Sequence, residues 1–334
     1  KHIIPENCLD KNYLFQAMCS LRPLKSPLEQ SLLFHSASIG SEAINACSQY
    51  IQPGVREYEI DRIFQWRCGL LGGMVDMPYK GIVGAGNNGN ILHYHPSDRV
   101  FKQGEYVLCD LGCQVHEYAC DISRTYPVGG VFSPQQKALY DIVLAEQKSA
   151  IEMIKPGASY ADITATIQDR LLEGLLRLGI LLGDKQQLKE KHVMRTFMPH
   201  SLGHHLGLNV HDVGGPAVPP QSASPSKSTS DAVHAPTATG LAPPLLQASP
   251  LTKMTSLVPD LYITVEPGLY FIPSLLHKLK QTLPDCADWN KIESYAKVGG
   301  IRIEDDAAVT AEGCELLTRA VPVAADEIEA LMQS

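Results

Sequence analysis

Two aspartates in apolar, strand-favouring surroundings are the first residues of this sequence whose type and spacing predict chemistry. Asp110 ends the run Tyr-Val-Leu-Cys-Asp, and Asp121 follows eleven residues later in Asp-Ile-Ser-Arg-Thr. Aspartate is depleted in strand interiors, and burying an unpaired carboxylate costs free energy. The pair therefore indicates either a positive charge held between two strands, such as a metal ion, or two ordinary turn aspartates.

Three later segments favour the metal interpretation. Each places one metal-binding side chain in a short glycine-containing or strand-like context, and these side chains are His204, Glu266 and Glu304. Together with the two aspartates they provide four carboxylates and one imidazole. This set suits two divalent cations that share bridging carboxylates, because four negative charges then offset four positive ones.

At these residues the chain resembles the pita-bread metallopeptidases, which include methionine aminopeptidase, aminopeptidase P and prolidase. That family has the same ligand order: Asp, Asp, His, Glu before Pro-Gly, and Glu. The resemblance is closest to prolidase, the Xaa-Pro dipeptidase, and runs from about Leu28 to the C-terminus except for a central insert. The motifs that carry it are Ile91-Leu92-His93-Tyr94, Met-Pro-His (198–200), Val-His-Asp-Val-Gly-Gly (210–215), Val-Glu-Pro-Gly-Leu-Tyr-Phe-Ile (265–272) and Gly-Gly-Ile-Arg-Ile-Glu-Asp (299–305).

The resemblance implies a centre of two divalent metal ions. The carboxylate-rich ligand set favours Mn²⁺, with Co²⁺, Fe²⁺ or Zn²⁺ as alternatives. Asp121 and Glu304 would bridge the ions, and the family motif selects His204 rather than the adjacent His205. Glu266 would be both a ligand and the general acid/base. The implied metal ligands are Asp110, Asp121, His204, Glu266 and Glu304.

Four more residues receive a role from the resemblance or from strand alternation. His93 and His211 resemble two histidines that hold the substrate carbonyl and the tetrahedral intermediate, which makes them catalytic and substrate-binding candidates. His200 has a weaker case as an orienting partner of a ligand. Arg302 lies two residues before Glu304 and hence on the same strand face. It would either bind a substrate carboxylate through its planar fork or neutralise the carboxylate cluster.

The implied function is hydrolysis of Xaa-Pro bonds, most simply in dipeptides, by a metal-bridging hydroxide with Glu266 as the proton shuttle. The expected partner is a small peptide with Pro at its second position. One departure leaves alternatives open. Prolidases grip the dipeptide carboxylate with an Arg before Val-Glu-Pro-Gly, but residues 216–261 contain no Arg and only the cations Lys227 and Lys253. The alternatives are an aminopeptidase P that accepts longer peptides and, from another class, a metal-free pita-bread binding module.

Composition narrows the remaining function classes. The 334 residues carry a net charge of −8, and no basic block indicates nucleic-acid binding. The longest apolar stretch, residues 171–183, is interrupted by Glu173 and Arg177 and is too short to span a membrane. Nine cysteines form an odd number without paired zinc spacing. Reduced, mostly buried thiols and a cytoplasmic location are therefore expected.

The elements that must position these residues are predicted as two similar halves. Ser-Pro followed by Glu or Gln predicts helix starts at Ser26 and Ser133. The expected order is two helices and strands, then two helices, a loop and strands. The family implies an α+β pita-bread fold, a pseudo-twofold curved antiparallel sheet with helices on its outer face. Predicted helices cover about 26–50, 57–71, 133–154 and 159–178, and predicted strands cover 79–84, 90–94, two segments joined by a turn at 111–114, and 262–266.

The domain organisation is predicted from composition and from the resemblance. Residues 1–25 are expected to be a linker or the remnant of a missing N-terminal domain, and residues 26–334 to form the metallopeptidase domain. An insert at 216–258 holds 8 of the 23 prolines and no aromatic residue. Such a composition predicts a mobile decoration or, alternatively, a lid. A homodimer is expected from the family.

Overall fold

A computed structural model of the chain describes residues 11–73, 76–214 and 256–333. The first half contains α1 (Lys11–Leu21), α2 (Pro27–Ser48), α3 (Glu57–Leu70), β1 (Ile82–Ala85), β2 (Tyr106–Leu111), β3 (Gln114–Val115), β4 (Tyr118–Ala119) and β5 (Ile122–Pro127). The second half contains α4 (Pro134–Met153), α5 (Tyr160–Arg177), α6 (Lys185–Glu190), α7 (Met194–Phe197), β6 (Tyr262–Val265), β7 (Gly268–Leu269), α8 (Pro273–Thr282), α9 (Trp289–Val298), β8 (Ile301–Arg302), β9 (Asp305–Val309), β10 (Cys314–Leu316) and α10 (Ala325–Gln333).

The long helices begin where the Ser-Pro signals predict. At α2 the Glu29 carboxylate accepts a hydrogen bond from the Ser26 backbone N–H at 2.8 Å. At α4 the Ser133 hydroxyl accepts from the Gln136 N–H at 3.2 Å, and the Gln136 side chain accepts from the Ser133 N–H at 2.9 Å. These contacts satisfy N–H groups that have no partner within the helix. The capping chemistry therefore fixes the start of each helix pair, α2–α3 and α4–α5.

Two three-stranded antiparallel sheets follow these helix pairs. Their strand orders are β1-β2-β5 and β10-β9-β6. An antiparallel bridge between Ser123 and Glu304 joins them, with the Glu304 N–H donating to the Ser123 carbonyl at 3.0 Å. One cluster of buried apolar side chains includes residues of both halves. The predicted α+β arrangement of two halves, each a helix pair followed by antiparallel strands, is confirmed.

The connection between β2 and β5 is more elaborate than predicted. The expected simple turn at 111–114 is wrong, because the chain first forms the small hairpin β3–β4. The tip of this hairpin consists of His116 and Glu117, whose φ angles are positive at 48° and 69°. The pairing of β2 with β5 itself is confirmed. The hairpin is formed by residues between β2 and β5, and the chain after it runs back so that Asp121 lies beside Asp110.

Two other local predictions are corrected. Residues 90–94 are not a strand, since a 3-10 turn covers Asn87–Asn90 and the chain then continues without regular structure. The Asn90 side-chain oxygen instead accepts a hydrogen bond from the Phe271 N–H at 2.8 Å, which is a tertiary contact that strand propensity does not register. Residues 1–25 gave no periodic pattern, yet α1 lies within them. The insert predicted at 216–258 lies almost wholly outside the described residues.

The cysteines follow the sequence expectation where the structure describes them. All eight in the described ranges are free, and seven of these are buried. Cys109 is in the core, whereas the next residue, Asp110, faces a cavity. This alternation is the one expected for neighbours on a strand. Over the same ranges no helix is long and apolar enough to cross a membrane.

Candidate metal centre

The predicted ligands lie where the two sheets meet. Asp110 is in β2, and Asp121 immediately precedes β5. The pairing register places Asp110 opposite Ser123, so Asp121, two residues before Ser123, is on the same face. The Tyr79 hydroxyl lies 2.7 Å from an Asp110 oxygen and 2.8 Å from an Asp121 oxygen. One phenol therefore holds both carboxylates side by side.

The second half supplies the other three ligands to the same place. His204 precedes β6, Glu266 follows β6, and Glu304 lies between β8 and β9. Ligand atoms of Asp121, His204 and Glu304 lie within 4.8 Å of one another. His204 Nε2 is 3.4 Å from Asp121 Oδ2 and 3.6 Å from Glu266 Oε1. All five predicted ligands line one cavity of about 350 Å³.

The orientation of His204 supports its selection over His205. Its Nδ1 contacts the His205 carbonyl oxygen at 3.0 Å, which leaves Nε2 directed at the carboxylates. His205 is buried, and neither of its ring nitrogens has a hydrogen-bond partner among the described residues. Burial lowers the pKa of His205 to about 3, so its ring is neutral. Only His204 has the direct carboxylate contacts expected of a ligand.

The carboxylates of this cavity are short of positive charge. Burial raises the pKa of Asp110 to about 6, although Arg302 opposes the shift. Burial also raises the pKa of Glu266 to about 7. The pKa of Glu304 is raised well above its usual value, first by burial and then by the neighbouring carboxylates. Each shift means that the ionised carboxylate is disfavoured when only protein groups surround it.

His204 responds to the same excess of negative charge. Burial alone would lower its pKa, but the hydrogen bond to Asp121 and the charge of Glu266 outweigh burial and raise it to about 9. In return, and despite burial, His204 holds the pKa of Asp121 below its usual value. A protonated imidazole thus provides some of the missing positive charge. Divalent cations fit this donor set because they would replace that proton and balance the remaining carboxylates.

Arg302 is built into the wall of the cavity. Its Nε donates to the Ser123 hydroxyl at 2.8 Å, its Nη1 to the Tyr270 hydroxyl at 2.7 Å, and its Nη2 to the Asp110 carboxylate. Only 4% of its surface is exposed. Of the two sequence-based roles, neutralisation of the carboxylate cluster agrees better with these contacts than a free fork for substrate.

The remaining predicted histidines surround the ligands. His93, His200 and His211 all line the cavity, and the ring centre of His211 is 4.2 Å from that of His204. Burial lowers the pKa of His211 to about 4 and that of His200 to about 3, and it also lowers the pKa of His93. His200 contacts the Tyr270 hydroxyl at 3.0 Å and lies 3.6 Å from Glu266. These rings are neutral near pH 7 and so can donate one N–H without adding charge.

Three residues at the site have contacts that the sequence did not reveal. Tyr79 joins the two aspartates, Tyr270 joins His200 to Arg302, and the Ser123 hydroxyl donates to Glu304 at 2.6 Å. Ser123 had one usable signal, since it alternates with Asp121 along the strand. Tyr270 stood inside a recognised motif without a role of its own. For Tyr79 the sequence held no signal, because its partners are 31 and 42 residues away.

Comparisons with known proteins identify similar chains and structures. Residues 31–311 match metallopeptidase family M24. The chain is 34% identical to the Xaa-Pro dipeptidase of Homo sapiens, across 97% of this chain and 63% of that protein. The aminopeptidase PepP of Pseudomonas aeruginosa superposes with a TM-score of 0.75 at 32% identity, covering 93% of this chain and 60% of that one. A zinc-substituted Escherichia coli aminopeptidase P in complex with product gives 0.75 at 33% identity, covering 94% and 60%.

The extent of these matches is sufficient to assign a family. The matched segment covers most of the chain, and the human relative is more than 30% identical along nearly all of it. The chain spans less than two thirds of the length of these relatives. The sequence and the structure together establish that this chain belongs to metallopeptidase family M24.

Proposed function

We propose that this chain is the catalytic part of a metallo-exopeptidase that hydrolyses Xaa-Pro peptide bonds, with Xaa-Pro dipeptides as its preferred substrates. One observation carries the proposal: two aspartates, a histidine and two glutamates from distant parts of the chain converge on a single open cavity. Similarity to proteins named Xaa-Pro dipeptidase and aminopeptidase P supplies the substrate class.

The ligand set is proposed to hold two divalent metal ions. Hard oxygen donors favour Mn²⁺, although the relative with substituted zinc accepts another ion. When bound, such ions would supply Lewis acidity toward a peptide carbonyl and toward water. The residues that would hold them are Asp110, Asp121, His204, Glu266 and Glu304.

Glu266 is proposed to move the proton. Its carboxylate lines the cavity and lies 3.6 Å from both His200 and His204. The Thr264 hydroxyl donates to its Oε1 at 3.4 Å, and Oε2 is the oxygen nearer His200. From this position Glu266 would accept a proton from the attacking water and deliver it to the leaving proline nitrogen. That nitrogen must be protonated before it can leave as a secondary amine.

His93 and His211 are proposed to stabilise the carbonyl oxygen of the substrate. Both line the cavity, and the pKa of each is lowered chiefly by burial. A neutral imidazole donates one N–H to a developing oxyanion without adding positive charge to the ligand cluster. Arg302 is proposed to balance and orient Asp110, since each of its three nitrogens already donates to a protein group. Its alternative role, binding of the substrate carboxylate, is distinguished by kinetics below.

Aminopeptidase action on longer Xaa-Pro peptides is the second candidate. A further cavity of about 510 Å³ adjoins the first and shares His93, Asp110, Asp121 and His211 with it. This gives the cleft room beyond the ligand cluster. The candidate from another class, a metal-free binding module, is disfavoured because such a module has no need to bury four carboxylates together, three of them with pKa values raised by burial.

The proposal extends to assembly and location. A homodimer is proposed, and the exposed side chains of Leu21, Leu24 and Leu28 supply apolar surface for a protein contact. Light scattering at micromolar concentration would contradict this part if the mass were strictly monomeric. A cytoplasmic location is supported by the free, mostly buried thiols, because disulfides are rare in reducing compartments.

The decisive experiment compares Gly-Pro with Gly-Pro-Gly as substrates, with Mn²⁺ supplied and with a chelator as control. Cleavage of Gly-Pro with the higher kcat/KM supports the dipeptidase. Preference for Gly-Pro-Gly supports the aminopeptidase. If neither peptide is cleaved and elemental analysis finds no bound metal, the binding-module alternative replaces both.

A further inference from the structure

The second cavity adds a lysine to the two aspartates that it shares with the ligand cluster. It is lined by Asp110 and Asp121 and also by Pro78, Tyr79 and Lys80. The Lys80 side chain belongs to an exposed residue, and no ion pair or hydrogen bond of its ammonium group is found among the described residues. The cleft therefore contains an available cation as well as the clustered carboxylates.

Lys80 and Arg302 are the Lys or Arg side chains that line these two cavities in the described part of the chain. Arg302 is almost fully buried, and each of its three nitrogens already donates to Asp110, Ser123 or Tyr270. A substrate carboxylate would have to share these nitrogens with the existing partners. Lys80 would lose no protein contact on binding a carboxylate, because its three N–H donors face solvent.

The backbone that carries Lys80 is held firmly beside the site. The preceding Tyr79 is fixed by its contacts to both aspartates. The following Gly81 is pressed so closely against Asp61 and Leu111 that an added Cβ would lie 2.6 Å from each. Lysine combines this fixed origin with a flexible four-carbon stem. The ammonium group can therefore sweep the mouth of the cavity without moving the main chain.

We propose that Lys80 binds the C-terminal carboxylate of the peptide substrate. This assignment rests on the proposed peptidase function. The scissile bond must lie at the ligand cluster, so the C-terminal end of the bound peptide extends along the cleft, where Lys80 is an available cation. Attraction between the two opposite charges favours this orientation. A flexible lysine can meet this end at more than one distance. The site consequently accepts tripeptides as well as the preferred dipeptides.

The test compares peptides that differ only in this carboxylate. Gly-Pro and Gly-Pro amide are assayed with the metal-loaded wild type and with Lys80→Gln. An exposed ion pair contributes little, so KM for Gly-Pro should rise about two- to fivefold in the variant while kcat stays constant. KM for the amide should not change. Lys80→Glu should raise KM for Gly-Pro further, because it replaces attraction by repulsion.

Two additional measurements separate a direct contact from a general charge effect. Lys278→Gln removes an exposed lysine from α8, away from both cavities, and should leave the ratio of the two KM values unchanged. Calorimetric binding of the product proline should weaken in Lys80→Gln, whereas binding of prolinamide should not. The wild-type preference for the free acid should also shrink as salt is raised from 0.01 to 0.5 M, roughly in step with the shorter Debye length.

An unchanged acid-to-amide KM ratio in both Lys80 variants overturns the assignment. So does an equal loss for the acid and the amide, which would indicate damage to the site. Failure of the wild type to cleave either peptide overturns the proposed function itself and removes the basis of the assignment. The wild type cleaves the peptides if only the Lys80 assignment fails and does not cleave them if the proposed function fails, so the two outcomes are distinguishable.

Discussion

The two faces of the bridge that joins the sheets differ in how fully their polar groups are paired. On the face toward the cavity, Ser123 contacts Glu304, while on the opposite face Arg124 pairs with Asp305 at 2.7 Å. All five donors of Arg124 are used: Nε bonds the Pro322 carbonyl, Nη1 the carbonyls of Ser123 and Glu304, and Nη2 Asp305 and the Val321 carbonyl. The back face is complete with protein groups alone.

On the cavity face, by contrast, protein groups alone do not balance the charges. Three of its carboxylates, Asp110, Glu266 and Glu304, have raised pKa values, and one buried guanidinium, Arg302, lies beside Asp110 and Glu304. The difference separates two tasks within one pair of strands. The back face holds the backbone of Glu304 in place through Arg124, and the front face keeps charges unbalanced so that a ligand of opposite charge is bound. Structural and ligand-binding ion pairs are thus recognised by whether every donor and acceptor already has a partner.

Glu304→Gln should give the largest effect on the front face. The amide keeps the size and the contact with Ser123 but removes a bridging charge, so bound metal should fall below two ions per chain and peptidase activity should be lost with it. The metal-free variant should be at least as stable as wild type, because a disfavoured buried carboxylate has been removed. Elemental analysis and urea unfolding measure the two quantities. Two retained metals would show that Glu304 is not a bridging ligand.

Arg124→Met should give the largest effect on the back face. It leaves the buried Asp305 carboxylate with only the neutral donors Gln147 and Thr318 and removes a donor from four carbonyls, so unfolding free energy should fall by about 3–5 kcal/mol. Arg170→Met is the control, because Arg170 is exposed and its contact with Glu146 is 4.0 Å long. The control should change stability by less than about 0.5 kcal/mol. Equal urea midpoints for the two variants would refute the structural role of Arg124.

Arg302→Lys should have an intermediate effect and decide between the two roles of Arg302. Lysine cannot reproduce the three separate contacts, so losing one or two charged hydrogen bonds should lower metal affinity or kcat about ten- to a hundredfold. KM for Gly-Pro should change little. The opposite pattern, a raised KM for Gly-Pro with metal affinity and the amide KM unchanged, would assign the substrate carboxylate to Arg302 instead of Lys80.

The smallest effect is a pH dependence of stability in the metal-free protein. Above about pH 7.5 the histidines with lowered pKa values are almost entirely neutral in both states. Glu266 and His204 have pKa values raised to about 7 and about 9, so the folded state binds more protons than the unfolded one. Stability should therefore fall as pH rises from about 7.5 to 8.5. Saturating Mn²⁺ should reverse this trend, since it replaces the protons; a flat metal-free profile by urea titration would contradict the charge imbalance.

The sequence predicts the site better than the surroundings of the site. Asp110, Glu266 and Glu304 were recognisable because each stands in a short motif with a distinctive neighbour, and the structure brings them to one cavity. The helix starts were recognisable because capping is a contact over three residues. Tyr79 was not, because its contacts exist only after β2 and β5 have paired. The same reason explains the missed hairpin β3–β4, whose residues carry no strong turn signal.

The alternation of Glu304 and Asp305 has a consequence for how this segment can change during evolution. Neighbouring residues on a strand point to opposite faces, so a shift of one residue exchanges every side chain between the faces. A single insertion or deletion between Arg302 and Asp306 would exchange the two faces. The Arg124 partner Asp305 would then face the cavity, and the predicted ligand Glu304 would face away from it. Substitutions can be absorbed one face at a time, but a change in length damages both at once. We expect the spacing of this segment to be preserved even where its composition drifts.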